Sequence, residues 1–421
     1  MEKISSNPET PKDHIHNVNQ FEINHILQLS DNGRFEERID EIKQYFLKQE
    51  IFSENQDESF IKNTKIQIQL LTEDEFKKID PEYLKTHAFR VTKFSHTYIP
   101  NTENRGYMYS QVSIPALGGI SYAVFLSKEP IVYERRDQCE ISKSGKMTLM
   151  RICTSENNGD DLQRAATDSY KQIFDYIAEH NTFSKSGKLS LLRVWNYIPN
   201  ILTDETGKFV VDEKGNSIGN ITRERYRMFN AGRWDAWQKW GPKLKNGDPI
   251  RPAMTGIGSF NGPLVIEALI TENNVIAIEN PLQTQFIHYN KEKYGAKPPV
   301  SARGTIHITE NGPEVYVAGT ASLISDSVAH IGNIEAQTYE TLNNINTLLS
   351  IENMKNYGIE TSFNLKDLEA VRVYIKNEED YKEVKKIIDT IWNDRPVLYV
   401  HDHICRPGFL LEIEGLVRGK A

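Results

Sequence analysis

One pattern, helix–strand–helix–strand–strand, occurs twice in this chain and limits the fold more than any single motif. From Ala166 the helical stretch ATDSYKQIFDYIAEH leads into the strand-like LSLLRVWNYIPNI. A second helical stretch, ERYRMFNAGRWDAWQKW, is followed by RPAMTGIGSFNGPLVIEALI. From Ile334 the order returns as IEAQTYETLNNINTLLS, LEAVRVYIKN, EDYKEVKKIIDTIW and RPVLYVHDHICRPGFLLEIEGLV. Single residues correspond as well. Arg193-Val194-Trp195 answers Arg372-Val373-Tyr374, Tyr226 and Trp237 have the separation of Tyr381 and Trp392, and Arg-Pro opens each closing hairpin. Repetition of this kind marks two copies of one supersecondary unit. Each unit should pack two helices on one face of a mixed sheet, which makes the fold class α/β (α+β).

Three segments follow: an extension over 1–60, partly disordered and carrying one helix, an N-terminal unit within 61–275 and a C-terminal unit within 276–421. In the extension, Phe35, Ile39, Ile42, Tyr45 and Phe46 fall on one helical stripe between Arg34 and Gln49, predicting an amphipathic helix packed on the body. Strands are expected over 65–71, 88–97, 107–114 and 119–126. Those around 107–126 should complete the first copy's sheet, and strands around 304–308 and 314–319 the second's. The segment 203–220 reads as an exposed hairpin. A net charge of −8 disfavours a nucleic-acid partner or an anionic membrane surface. No apolar run approaches the ~20 residues of a spanning helix. The polar start, MEKISSNPETPKDHIHN, has no signal-peptide core, and three cysteines are too few for a disulfide framework, so the expected compartment is the cytoplasm.

The closing strand of the second copy carries an anomaly. In ICRPGFLLEIEG, Glu412 and Glu414 stand two apart on an otherwise apolar strand, so both point to one face. Laying VIEALI over EIEGLV matches Glu267 with Glu414 and puts Val265 where Glu412 stands. Glu414 then reads as architectural and Glu412 as special to the second copy. Such a residue is either a buried ion-pair partner or a desolvated carboxylic acid that keeps its proton and serves as a general acid. Two arginines also stand in unexpected places. Arg233 lies on the aromatic stripe of its helix with Tyr226, Phe229, Asn230 and Trp237, and Arg303 lies in the loop PPVSARGT. Each is a salt-bridge partner or, together with the other, a clamp for a di-acid. His288, Tyr289 and Tyr294 follow in ENPLQTQFIHYNKEKYG, and Gly319, Thr320 and Ala321 end a strand where small side chains let a ligand approach. His401, His403 and Cys405 alternate along VHDHIC, but three ligands so close together on one strand seldom surround one zinc ion, so no metal is expected.

These residues together make the chain resemble the chorismatases of the FkbO type, whose fold is related to the YjgF/RidA proteins. The resemblance runs from about Tyr107 to Val417 on LLRVWNYIPNI, ERYRMFNAGR, ENPLQTQFIHY, SARGT, AGTASLISDSVAHIGN, EAQTYET and CRPGFLLEIEG. It implies two tandem YjgF-like units and an enzyme without metal or organic cofactor. Such an enzyme removes the enolpyruvyl group of chorismate as pyruvate and leaves a dihydroxycyclohexadiene carboxylate or a hydroxybenzoate. Residue by residue, it implies Glu412 as the acid, Arg233 and Arg303 on the substrate's carboxylates, Tyr226 and Tyr289 beside them, and Gly319 and Ala321 lining the pocket. Cys405 resembles the branch that makes 3-hydroxybenzoate. Asn333 stands where an aspartate is expected and reads as a helix cap. A RidA-like imine deaminase would need an arginine where Val397 stands. A binding protein for aromatic acids is the reading of another class. A monomer is expected, because two copies in one chain can replace the usual trimer of such units, although a homotrimer is open.

Overall fold

The computed structural model of the chain describes residues 38–45, 66–100, 105–136, 138–155, 162–183, 187–211, 218–243, 247, 250–291 and 295–419. After a helix α1 at 38–45 comes β1 (Ile66–Thr72), two short helices α2 (Glu73–Phe76) and α3 (Pro81–His87), β2 (Ala88–Ser95), β3 (Tyr109–Ser113), β4 (Ala116–Leu117) and β5 (Ile120–Ser127). The next group is β6 (Val132–Arg136), β7 (Cys139–Ser144), β8 (Met147–Thr154), α4 (Leu162–Phe183), β9 (Ser190–Pro199), α5 (Arg225–Trp240), β10 (Ala253–Ser259) and β11 (Leu264–Thr271). The last contains β12 (Val275–Ile278), β13 (Gly304–Thr309), β14 (Gly312–Thr320), the small ribbon β15 (Leu323–Ile324) and β16 (Ser327–Val328), α6 (Ile334–Leu349) and α7 (Ile351–Lys355). It ends with β17 (Glu369–Ile375), α8 (Tyr381–Ile388), β18 (Leu398–His401) and β19 (Leu411–Arg418).

Read from equivalent edges, the three main sheets run β3-β2-β5-β1, β10-β9-β11-β8-β7-β6 and β18-β17-β19-β14-β13-β12, with β4 added beside β18. In each, the first pair is parallel and the next neighbours are antiparallel. A register shift also recurs just before an Arg-Val pair, at Arg90, Arg193 and Arg372. Residues 66–127 are therefore a third, abbreviated copy of the unit. This corrects the expectation that strands around 107–126 complete the sheet of the following copy. That sheet is completed by β6, β7 and β8, and β6 escapes a pattern search because it is a polar edge strand, VYERR, with both ends exposed. The strands expected around 304–308 and 314–319 are β13 and β14.

Alternation along the Arg-Val strands divides each side-chain set between two cores. Val194 and Ile198 pack outward under α4 and α5, and Val373 and Ile375 pack under α6 and α8. Trp195, Tyr197, Tyr374, Phe94 and Phe125 turn inward to a core that all three sheets share. Helix α4 buries Leu162, Ala165, Ala166, Tyr170, Ile173 and Phe174 along one stripe. It meets α5 at Gly232, where a Cβ would overlap the Gln163 carbonyl and Thr167 bonds the Gly232 carbonyl at 3.1 Å. Helix α1 docks on the third unit through Ile39 and Ile42, with Arg38 paired to Glu340 at 3.0 Å. Tyr45 is exposed, and Phe35 and Phe46 lie outside the described residues. Of 203–220, the described part is a turn built on Asp204, which accepts from the Thr206, Lys208 and Asn220 amides; 212–217 lie outside the described residues.

The shared core also takes in charge. Arg90 pairs with Glu267, and Arg193 and Arg372 pair with Glu414. The registers correct the superposition of the closing strands. Glu267 stands opposite Trp195 and Glu412 opposite Tyr374, so Glu267 is the counterpart of Glu412 and Leu269, opposite Arg193, that of Glu414, which stands opposite Arg372. A slip of two residues leaves every side chain on its face, which is why alternation alone cannot detect it. Arg90→Met strands Glu267 as a buried carboxylate, and the expected loss is about 3–5 kcal/mol. It should appear as a lower urea midpoint with an unchanged slope.

Candidate active site

Strand β19 lies between β14 and β17 and presents Glu412 and Glu414 to the shared core, both 4% exposed. Their surroundings differ sharply. Glu414 receives Arg193 at 2.8 Å, Arg372 at 3.0 Å, the Trp195 indole N–H at 3.0 Å and the Thr255 hydroxyl. Burial alone would push its carboxyl up; the two guanidiniums and the hydrogen bonds hold it below the ordinary value. Glu412 has no ion pair and no hydrogen bond to its carboxyl among the described residues. Burial, followed by the negative charge of Glu414, pushes it up to about 8, against the weaker pull of Arg193 and Arg303. Its carboxyl rests on Gly319, where a Cβ would overlap Glu412 Oε1 and crowd the Thr255 hydroxyl. Glycine is required there by the close approach and not by its backbone angles.

The other sequence-predicted residues gather around this acid at two distances. Cys405, on the loop before β19, is close enough for Glu412 to act on its thiol, and Tyr226 from α5 packs against the same core cluster as Cys405. Arg303 lies with its guanidinium 3.8 Å over the Phe286 ring and donates to the Tyr289 hydroxyl and the Thr284 carbonyl, each at 2.9 Å. Ala321 follows Thr320, which pairs with Ile413, so it flanks the same stretch of β19. Arg233 stands further out. It donates to Asn230 Oδ1 at 2.6 Å and to Met254 Sδ at 3.3 Å, and it reaches the cluster through Tyr226. In both Arg233 and Arg303 the buried Nε has no hydrogen-bond partner.

Several residues at this place escaped the sequence reading. Arg406 lies 4.8 Å over the Tyr289 ring, and its neighbour Cys405 was the only signal for it. Glu224, before α5, is raised by burial to about 7 against the pull of Arg227. Thr255 joins Gly319, Arg193 and Glu414, and a lone threonine within a β-rich run gives no hint of that. His401 and His403 face elsewhere: the first is 3.0 Å from Glu378, and the second packs against Phe209 and Phe260. Asn333 is the N-cap of α6, accepting from the Ala336 amide at 3.0 Å. No helix among the described residues is long and apolar enough to cross a membrane.

Burial, then the charge of Glu412, lifts the Cys405 thiol to about 12; burial also lifts Cys139 to about 11 and raises Cys153. Thiolates are the reactive form. Iodoacetamide at pH 8 should therefore leave all three cysteines unmodified in the native protein and alkylate all three in urea, as read by mass spectrometry.

The FkbO/Hyg5-like chorismatase N-terminal domain matches residues 123–270. A 3-hydroxybenzoate synthase of Streptomyces hygroscopicus is 31% identical over 248 residues, which is 58% of this chain and 67% of that protein. A chorismatase of the same organism is 30% identical over 230 residues, 54% of this chain and 61% of that protein. A crystal structure of a chorismatase superposes with a TM-score of 0.70 at 23% identity, covering 84% of this chain and 98% of that one, so the two share a fold. With a relative above 30% identity matched over two thirds of its length, the chain belongs to the chorismatase family.

Proposed function

We propose that this protein is a chorismatase that removes the enolpyruvyl group of chorismate as pyruvate, with Glu412 as the general acid and 3-hydroxybenzoate as the aromatic product. One observation carries the reading. Of two carboxylates on one buried strand, Glu414 takes Arg193, Arg372, the Trp195 indole and the Thr255 hydroxyl. Glu412 is left without an ion pair or hydrogen bond among the described residues, a setting that favours its protonated form. A carboxylic acid still protonated at neutral pH is what an enol ether requires.

Glu412 delivers its proton to the vinyl CH2, giving an oxocarbenium ion and the carboxylate. Water, or the hydroxyl on the adjoining ring carbon, adds to that ion and returns a proton to Glu412. The water adduct collapses by breaking its bond to the ring oxygen and frees pyruvate. The hydroxyl adduct instead breaks the ring C4–O bond as the C3 hydrogen leaves as a proton; the former 4-oxygen departs as the ketone oxygen of pyruvate and the C3 oxygen takes up the proton. With water, the ring leaves as the dihydroxycyclohexadiene carboxylate. In the other branch the ring loses its 4-hydroxyl and rearomatises, so that chorismate divides into pyruvate and hydroxybenzoate with no net uptake of water. Arg303 and Arg233, with unpaired Nε donors, hold the substrate's carboxylates, Tyr289 and Tyr226 orient it, and Gly319 and Ala321 leave room against the strand. Cys405, kept as an uncharged thiol beside Glu412, excludes water from the ion and favours the hydroxybenzoate branch. No cofactor enters these steps. We read the protein as a monomer, since one chain already carries the units that would otherwise assemble.

Incubation with chorismate should release pyruvate, measurable with lactate dehydrogenase, and chromatography of the ring product should give 3-hydroxybenzoate. Release of the diene acid instead would make the enzyme a hydrolase, and binding without pyruvate would make the protein a sensor. Glu412→Gln should lower turnover by about 10²–10⁴-fold while substrate still binds. If Cys405→Val leaves the product ratio unchanged, its assigned role is wrong.

The acid form is the working form, so turnover should fall as pH rises through about 8. Stability carries the same signature. A carboxyl raised from its ordinary 4.5 to about 8 contributes fully below the unfolded value and loses that contribution as pH rises through the folded one. The urea midpoint of the wild type relative to Glu412→Gln should therefore drop between pH 6 and pH 9.

A further inference from the structure

Thr255 is 1% exposed, lies on β10 of the second unit, and reaches across to the third. Its hydroxyl accepts from the Gly319 backbone N–H at 3.0 Å and from Arg193 Nη2, and donates to Glu414 Oε2. Those two donors are also the ones beside Glu412. Gly319 lies directly under its carboxyl, and Arg193 is one of the two arginines whose charge acts on it. Yet neither bonds it. We infer that Thr255 is a positioning residue for Glu412, occupying the Gly319 N–H and an Arg193 N–H so that neither turns to the Glu412 carboxyl.

The physical consequence is directional. A carboxyl that accepts hydrogen bonds from an amide and a guanidinium is stabilised as its anion and loses its proton more readily. By keeping those donors engaged, Thr255 preserves the acid form. The charged groups that act on Glu412 are Glu414 on its own strand, Arg193 on β9 and Arg303 ahead of β13; Cys405 is un-ionised at neutral pH, and Tyr374 is its neutral neighbour on β17. Glu414 is held ionised by Arg372 as well as by Arg193, so loss of the threonine hydroxyl leaves its charge in place.

This inference rests on Glu412 as the acid of the proposed reaction, and its test has a readout independent of turnover. The carboxyl carbon of Glu412 is followed by NMR in uniformly ¹³C-labelled full-length protein, assigned by its loss in Glu412→Gln, in wild type, Thr255→Val and Thr255→Ser. Valine suits the position, since Val400 stands opposite Tyr374 in the third sheet as Thr255 stands opposite Trp195 in the second. The midpoint should move down by at least about one pH unit in Thr255→Val and stay near the wild-type value in Thr255→Ser. Pyruvate release at pH 7 should fall at least about twofold in the valine variant, in step with the lost acid form, and recover at lower pH. A valine variant that folds and keeps the wild-type midpoint overturns the inference. So does a serine variant that shifts as far as valine. If the wild type releases no pyruvate, the proposed reaction fails while the titration still decides the role of Thr255.

Discussion

Glu414 holds together charges that would otherwise be unaffordable inside a shared core. Two guanidiniums from different sheets converge on it, with an indole N–H and a hydroxyl completing its shell. Taking such charges out of water costs several kcal/mol per ion, and only near-complete pairing offsets it. The second and third sheets are thereby fixed against each other at one place. Two residues along the same strand is the place where the acid stands. The quiet surroundings of Glu412 are thus a by-product of the crowded surroundings of Glu414.

The threefold recurrence of the unit also explains why one acid stays free. Its counterpart in the second sheet, Glu267, faces Arg151 on the neighbouring strand and is paired with Arg90. In the third sheet the corresponding neighbours are small, Gly319 and Ala321. The first unit has Ala123, opposite Thr92, in place of a glutamate. Three similar junctions therefore contain one acid without a cation, one acid with a cation and none.

Much of this was legible in the sequence because amphipathic alternation survives in it. The observed β1, β2, β3 and β5 fall on the expected strands, and the repeated Arg-Val-aromatic motif located the two long units. The third copy stayed hidden because its first helix shrinks to the short α2 and α3, no helix stands between β2 and β3 among the described residues, and it shares only Arg90-Val91 with the others. The candidate site was legible as a list of residue types, with Glu412 and Cys405 on one segment and Arg303 and Tyr289 on two others. Its organisation was not. A two-residue register slip hid the equivalence of Glu267 and Glu412, and the ties made by Thr255 cross between sheets far apart along the chain.

Helix α1 joins the beginning of the polypeptide to its last third. Arg38 and its carboxylate partner Glu340 are 302 positions apart. At about 5–20 residues per second, a ribosome needs roughly 15–60 s to travel that distance. During that time Ile39 and Ile42 have nowhere apolar to go, so the nascent segment must stay soluble on its own. The abundance of charged and polar side chains around those two isoleucines is then a requirement of synthesis as much as of the finished molecule.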